Sequence, residues 1–165
     1  MKQLLTKNLL KKPLTALVVY FSRFGFLPAN LTPLGAYGFF GGQPWLYFAS
    51  IIAFDLFKGG LYLGFLWTYA GFACYPLLAW LARHSKRRQI LLLPVASFSF
   101  FLLSNFGVFW MFYAHTWSGL LTCYALALPF YTRTLLGDLL FGYGYLAVRE
   151  LRELAFRRRL GYTIL

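Results

Sequence analysis

Apolar residues in this chain come in long runs separated by short polar or basic patches. The runs cover residues 14–28, 33–43, 45–58, 61–82, 89–110 and 132–150, with a further apolar piece at 117–129. A helix that crosses a bilayer needs ~20 mostly apolar residues, so the pattern predicts about six transmembrane helices with short connections. The pieces 33–43 and 45–58 are divided at Gly41-Gly42-Gln43-Pro44 and read as two short helices or one broken helix. Backbone interrupted in that way is tolerated at membrane depth only beside protein or a cavity that satisfies its polar groups. The piece 117–129 is too short to cross easily, and Pro129, which lacks a backbone donor, is expected to end it. It is read as a re-entrant or lid-like helix ahead of the last span. A β-barrel would alternate apolar and polar residues, and the run Ile90-Leu91-Leu92-Leu93-Pro94-Val95-Ala96 does not. The expected fold is all-α and integral to the membrane.

Composition agrees with that solvent. Hydrophobic residues make up 60% of the chain, charged residues 12%, and the mean hydropathy is +0.62, which leaves too little polar surface for a soluble domain of this size. One helical membrane domain at 13–150 is expected between a basic N-terminus at 1–12 and a basic tail at 151–165. Lys2, Lys7, Lys11 and Lys12 precede the first run, Arg83, Lys86, Arg87 and Arg88 precede the fifth, and Arg149, Arg152 and Arg157 to Arg159 follow the last. The positive-inside rule puts all three clusters in the cytoplasm, which six spans allow. The net charge of +12 then follows from topology and attraction to anionic lipid, and nucleic acid is not an expected partner. No small-x-small cleavage site follows the first lysines cleanly, so the first run is expected to stay as a membrane helix. Cys74 and Cys123 lie in apolar runs without metal spacing and read as small hydrophobes.

Charge placement narrows the function. Only four acidic residues occur; Glu150 and Glu153 lie in the basic C-terminal region, whereas Asp55 and Asp138 lie inside apolar runs. Buried ionisable groups in such places face a partner or a cavity. The six-span topology puts Arg23, Asp55, Lys58, Arg133 and Asp138 in the outer half of the bundle, as an ion-pair network or a polar binding cavity. Asp55 and Lys58, three apart, could equally satisfy each other on one helix face. Gly38 with Gly42, and Gly60 with Gly64, have the GxxxG spacing that lets helices approach closely.

The outer connection before the last span adds Asn105, Trp110, Tyr113, His115, Thr116, Trp117, Tyr124 and Tyr131. These form an interfacial aromatic belt or the rim of an apolar pocket with a few convergent polar groups. His115 alone could ligate a metal or the magnesium of a chlorin, but no cofactor is expected. No Ser-His-Asp order, HExxH, phosphate-binding glycine loop or metal-spaced cysteine set is present, so an enzyme is not expected either.

Two stretches carry a family resemblance. Pro28-x-Asn30-Leu31-Thr32-Pro33-Leu34-Gly35-Ala36, Phe40-Gly41-Gly42 and Asp55-Leu56-Phe57 form the first. Ser104-Asn105-Phe106-Gly107-Val108, Tyr113, Thr116, Gly119-Leu120-Leu121-x-Cys123-Tyr124, Leu128-Pro129-Phe130 and Thr134-Leu135-Leu136-Gly137-Asp138-Leu139 form the second. Over residues 13–145 the chain resembles an uncharacterised bacterial polytopic membrane-protein family, itself similar in layout to the S components of energy-coupling-factor vitamin transporters, the biotin type in particular. The resemblance implies a six-helix fold in the bacterial inner membrane, with both termini cytoplasmic and a small-molecule pocket on the outer side. Where S components often have a second small residue on the first helix, Ala16 is followed four positions later by Tyr20, so docking on an ATP-driven module is not expected.

The leading expectation is a small membrane protein that binds or carries a small solute, with Arg23, Asn30, Asp55, Asn105, Tyr113, Thr116, Tyr124 and Asp138 lining the site. The alternative is a structural or accessory subunit of a larger membrane complex, pigment-binding or energy-converting, in contact with lipids and other membrane subunits.

Overall fold

The computed structural model describes residues 13–25 and 27–159, and those residues form helices joined by turns, with no strand among them. Six helices follow one another: α1 (Pro13–Ser22), α2 (Leu34–Phe40), α3 (Pro44–Lys58), α4 (Phe65–Ala82), α5 (Lys86–Phe112) and α6 (Trp117–Arg159). The basic N-terminus at 1–12 and the last residues of the tail lie outside the described residues. α4 and α5 form the central hairpin, α6 lies along α5, and the short α2 is lodged between α4 and α6.

Local sequence accounts for each boundary. Gly41 and Gly42 close α2, Gly42 at a φ of 67°, and Pro44 opens α3 at a position where its missing N–H is no loss. The Gly-Gly-Gln-Pro interruption therefore gives two short helices. Ser85 caps α5 by accepting from the N–H of Arg88 at 3.4 Å. Thr116 caps α6, its Oγ1 accepting from the N–H of Gly119 at 3.1 Å.

The helix centres are filled by Tyr47, Ile51, Tyr75, Leu93 and Ala96, all almost completely buried. Phe72 stacks on Phe100 with ring centroids 4.7 Å apart, and Phe101 on Tyr131 at 4.5 Å. Glycines set the spacing of the hairpin: a side chain at Gly71 would meet Phe100, and one at Gly107 would collide with Trp67. Large apolar side chains lie at the surface as well as in the core. Trp45, Leu63, Leu66, Leu121, Leu140 and Leu151 are each more than half exposed, while Asp138 and Ser97 are buried.

Three expectations change. Residues 117–129 are not a separate lid: α6 runs unbroken for 43 residues, with Pro129 inside it. A proline removes one hydrogen bond of the ladder, and neighbouring turns can carry the helix past it. Here Thr132 and Thr134 hydroxyls back-bond to the carbonyls of Leu128 and Phe130 at 2.9 and 3.1 Å. The same helix passes residue 150 without a break, so the residues expected to form the membrane domain and those expected to form the tail share one helix of about 64 Å at 1.5 Å per residue. Gly60 and Gly64 do not make a helix-packing face, because both lie in the α3–α4 loop with φ of 98° and 86°. Gly38 does serve close approach, against the ring of Tyr47.

The count of spans is also lower by length. Among the described helices, α4 (18 residues) and α5 (27 residues) are long and apolar enough to cross a membrane on their own. α1, α2 and α3 have 10, 7 and 15 residues in their described ranges, and α6 carries Arg133 and Asp138 within its apolar part.

Candidate solute site

A cavity of about 470 Å³ lies where the α1–α2 connection and the end of α3 meet the middle parts of α4, α5 and α6. Its polar wall comes from Arg23, Asn30, Lys58, Thr134 and Asp138, and its apolar wall from rings and aliphatic groups that include Phe54, Phe72 and Phe100.

Each polar group is placed by its own local structure. The α1–α2 connection turns at Pro28-Ala29-Asn30-Leu31, with Leu31 N–H donating to Pro28 O at 2.9 Å. Asn30 takes the left-handed conformation, φ 68°, that such a turn requires and that asparagine adopts more readily than most residues. Arg23 follows the end of α1 and lies over the ring of Phe54, its guanidinium carbon 3.7 Å from the centroid. One guanidinium nitrogen, Nη2, is 3.9 Å from Asp55 Oδ1; the other, Nη1, is buried without a hydrogen-bond partner. Asp55 is held from the other side by Tyr69, whose hydroxyl donates to Oδ2 at 2.9 Å. Lys58, the last residue of α3, is exposed and faces the rings of Phe24 and Phe54 at 5.7 and 5.9 Å.

Asp138 forms the deepest polar element. Its side chain comes from the middle of α6 and is 1% exposed. Tyr75, from the middle of α4, donates to its Oδ2 at 2.5 Å. The backbone N–H of Ala36, in the first turn of α2, also acts on the carboxylate. First-turn N–H groups of a helix have no partner within it, so the carboxylate supplies an acceptor that α2 otherwise lacks. Ser97 lies alongside, though its hydroxyl makes no hydrogen bond of ordinary geometry.

This contact explains two glycines in the quoted stretches. A side chain on Gly35 would collide with Asp138 and Tyr75, and one on Gly137 would run into the backbone of Thr32. The Thr32-Pro33-Leu34-Gly35-Ala36 and Gly137-Asp138 segments are therefore two halves of one joint.

The eight residues expected from sequence do not all line this cavity. Arg23, Asn30 and Asp138 line the cavity, and Asp55 stands behind Arg23. Asn105, Tyr113, Thr116 and Tyr124 lie elsewhere, at the α5–α6 connection. Asn105 donates to Phe101 O in its own helix at 2.8 Å, and Tyr124 donates to Leu102 O at 2.7 Å, tying α6 to α5. Thr116 is the cap of α6, and Tyr113 ends α5. His115 stacks on Trp110 at 4.6 Å and reaches that residue's carbonyl at 2.9 Å. No group of three His, Cys, Asp or Glu side chains that could hold a metal occurs among the described residues. Arg133, expected beside Asp138, is exposed and does not line the cavity.

Sequence reasoning missed Tyr75, Tyr69 and Thr134. Tyr75 lies 63 positions from Asp138, and no spacing rule links them. Lys58 was recognisable as a charge at the same depth, but its place on the cavity wall depends on the turn at Gly59, where φ is 130°.

A sequence family described as a family of unknown function, DUF6580, matches residues 4–158. The chain belongs to this family. The DUF6580 match takes in nearly all of the described structure, including both halves of the Gly35–Asp138 joint. No curated protein and no solved structure matches the chain.

Proposed function

We propose that this member of the DUF6580 family is a multi-pass protein of the bacterial inner membrane that binds or carries a small solute in an outward-facing cavity. The observation that carries the reading is the cavity of about 470 Å³, within the range of small-molecule sites, with an aromatic wall and several convergent polar groups.

Support for the membrane setting comes from three features. α4 and α5 are long and apolar enough to span. Large apolar side chains face outward while Asp138 and Ser97 face inward. Two basic clusters, at the start of α5 and the end of α6, come together away from the cavity, where Lys86 pairs with Glu150 at 2.9 Å and Arg149 donates to Gln89 at 3.1 Å. With that end in the cytoplasm, the cavity opens outward.

Native mass spectrometry of the full chain, released from its own membranes into neutral detergent, tests the reading. A bound small molecule is expected on the wild type and not on Thr134→Trp, which fills the cavity. A wild type that carries no solute would sink it.

A second reading, an accessory subunit of a larger membrane assembly, draws support from the outer face of α6. There Leu140, Phe141, Tyr145, Val148 and Phe156 border a groove of about 680 Å³. A stoichiometric complex recovered from native membranes would favour it.

A further inference from the structure

Hydrogen-bonding capacity around the cavity is unevenly spent. Both carboxylates have partners: Asp55 has Tyr69 on one oxygen and Arg23 facing the other, and Asp138 has Tyr75. The cations do not match them. Arg23 Nη1 is buried without an acceptor, and Arg23 meets Asp55 only at 3.9 Å through Nη2. Lys58 has ring faces near it and makes no ion pair among the described residues. A buried charged donor without an acceptor is costly, and structures that keep one do so at sites where something else supplies the acceptor.

The geometry restricts what that acceptor is. Arg23 and Lys58 both line the mouth of the cavity, and Asn30 adds an amide beside them. A guanidinium presents a flat fork that fits two oxygens of one group, and an ammonium adds a point charge. Leu27, Pro28, Leu34, Phe72 and Phe100 give the cavity an apolar side that accepts a hydrophobic body, while Ser22, Thr32, Tyr75, Thr134 and Asp138 complete the lining. Phe54 beneath the guanidinium keeps its plane in place.

We infer that the cavity takes an oxyanion, a carboxylate or a phosphate, held by Arg23 and Lys58 and carried on an apolar body that the aromatic wall receives. The inference rests on the solute-binding reading and deepens it by naming the charge of the ligand. The oxyanion has two sources, a free organic acid or the head group of an anionic lipid. Asp55 is a positioning residue here: it faces Arg23 Nη2 at 3.9 Å, on a guanidinium that Phe54 supports from its ring face.

The test uses the full chain in phosphatidylcholine nanodiscs, with sodium benzoate, inorganic phosphate and the neutral benzamide as soluble probes. A second set of nanodiscs is doped with phosphatidylglycerol. Binding is read by tryptophan fluorescence and native mass spectrometry. Benzoate or phosphate is expected to bind the wild type, with affinity falling roughly tenfold or more in Arg23→Gln and less in Lys58→Gln. Retention of phosphatidylglycerol alone, lost in Arg23→Gln, supports the same site with a lipid as the source. Arg23→Lys, which keeps the charge and loses the fork, and the exposed Lys58→Gln serve if Arg23→Gln does not fold. Binding of benzamide equal to benzoate, abolished by Thr134→Trp and indifferent to Arg23 and Lys58, overturns the anion inference and leaves the solute reading standing. No binding of any probe, with Thr134→Trp indistinguishable from wild type, overturns both.

Discussion

The Tyr75 hydroxyl donates to Asp138 Oδ2 at 2.5 Å, joining the middle of α4 to the middle of α6 at the floor of the cavity. A carboxylate that is 1% exposed has no water to replace a lost donor. Tyr75→Phe is expected to destabilise the fold by about 1–3 kcal/mol, the cost of leaving a buried polar group short of a partner. Asp138→Asn should cost more, because its amide oxygen can accept from Tyr75 only by turning an NH2 donor toward the N–H of Ala36. Thermal unfolding in detergent, followed by tryptophan fluorescence, checks the order of the two; a Tyr75→Phe variant as stable as wild type would show that the bond contributes nothing.

Gly35 and Gly144 make a matched pair of substitutions. A methyl group at Gly35 has no space beside Asp138 and Tyr75, whereas nothing lies within 4 Å of one at Gly144. Gly35→Ala is expected to lose about 1–3 kcal/mol through overpacking. Gly144→Ala, in the interior of α6, should gain up to about 1 kcal/mol from helix propensity. Opposite shifts in unfolding temperature are the expected result, and equal shifts would contradict the joint.

Much of the fold was legible because apolar run length and glycine-proline punctuation act locally. The breaks at Gly41-Gly42 and around Gly59-Gly60 are where glycine frees the backbone. Pro129 misled because a proline ends a helix only when nothing holds the next turn, and here α5 lies alongside through Tyr124 and Tyr131. The site was half legible for a different reason. Asp138 and Asp55 stood out as charges in apolar surroundings, but Asn105, Thr116 and Tyr124 are polar residues that serve caps and carbonyls of their own neighbourhood. Composition cannot separate a group that faces a ligand from one that satisfies a backbone.

Pro94 within α5 has no N–H to give to the carbonyl of Ile90, and the Tyr143 hydroxyl of α6 donates to that carbonyl at 2.9 Å. Tyr143→Phe is expected to cost about 1 kcal/mol in the wild-type background. The same change should cost less when combined with Pro94→Ala, since alanine restores the donor within α5. A double-mutant cycle on unfolding free energies measures the coupling; strict additivity would rule out the compensation.

Thr116 is expected to behave as a helix cap and not as a ligand contact. Thr116→Ala should lower stability by about 1 kcal/mol and Thr116→Ser by far less. Neither should alter binding of benzoate or phosphate, and a binding defect in Thr116→Ala with unchanged stability would return the residue to the site.

A seven-residue helix such as α2 is too short to persist alone, because starting a helix costs more than so few turns return. Its first turn leans on Asp138, which the ribosome delivers only after α3, α4 and α5 have been made. α2 therefore waits until α6 emerges and closes the bundle. Truncation or stalling before residue 138 would release a chain whose early helices are made but whose α2 has nothing to settle against.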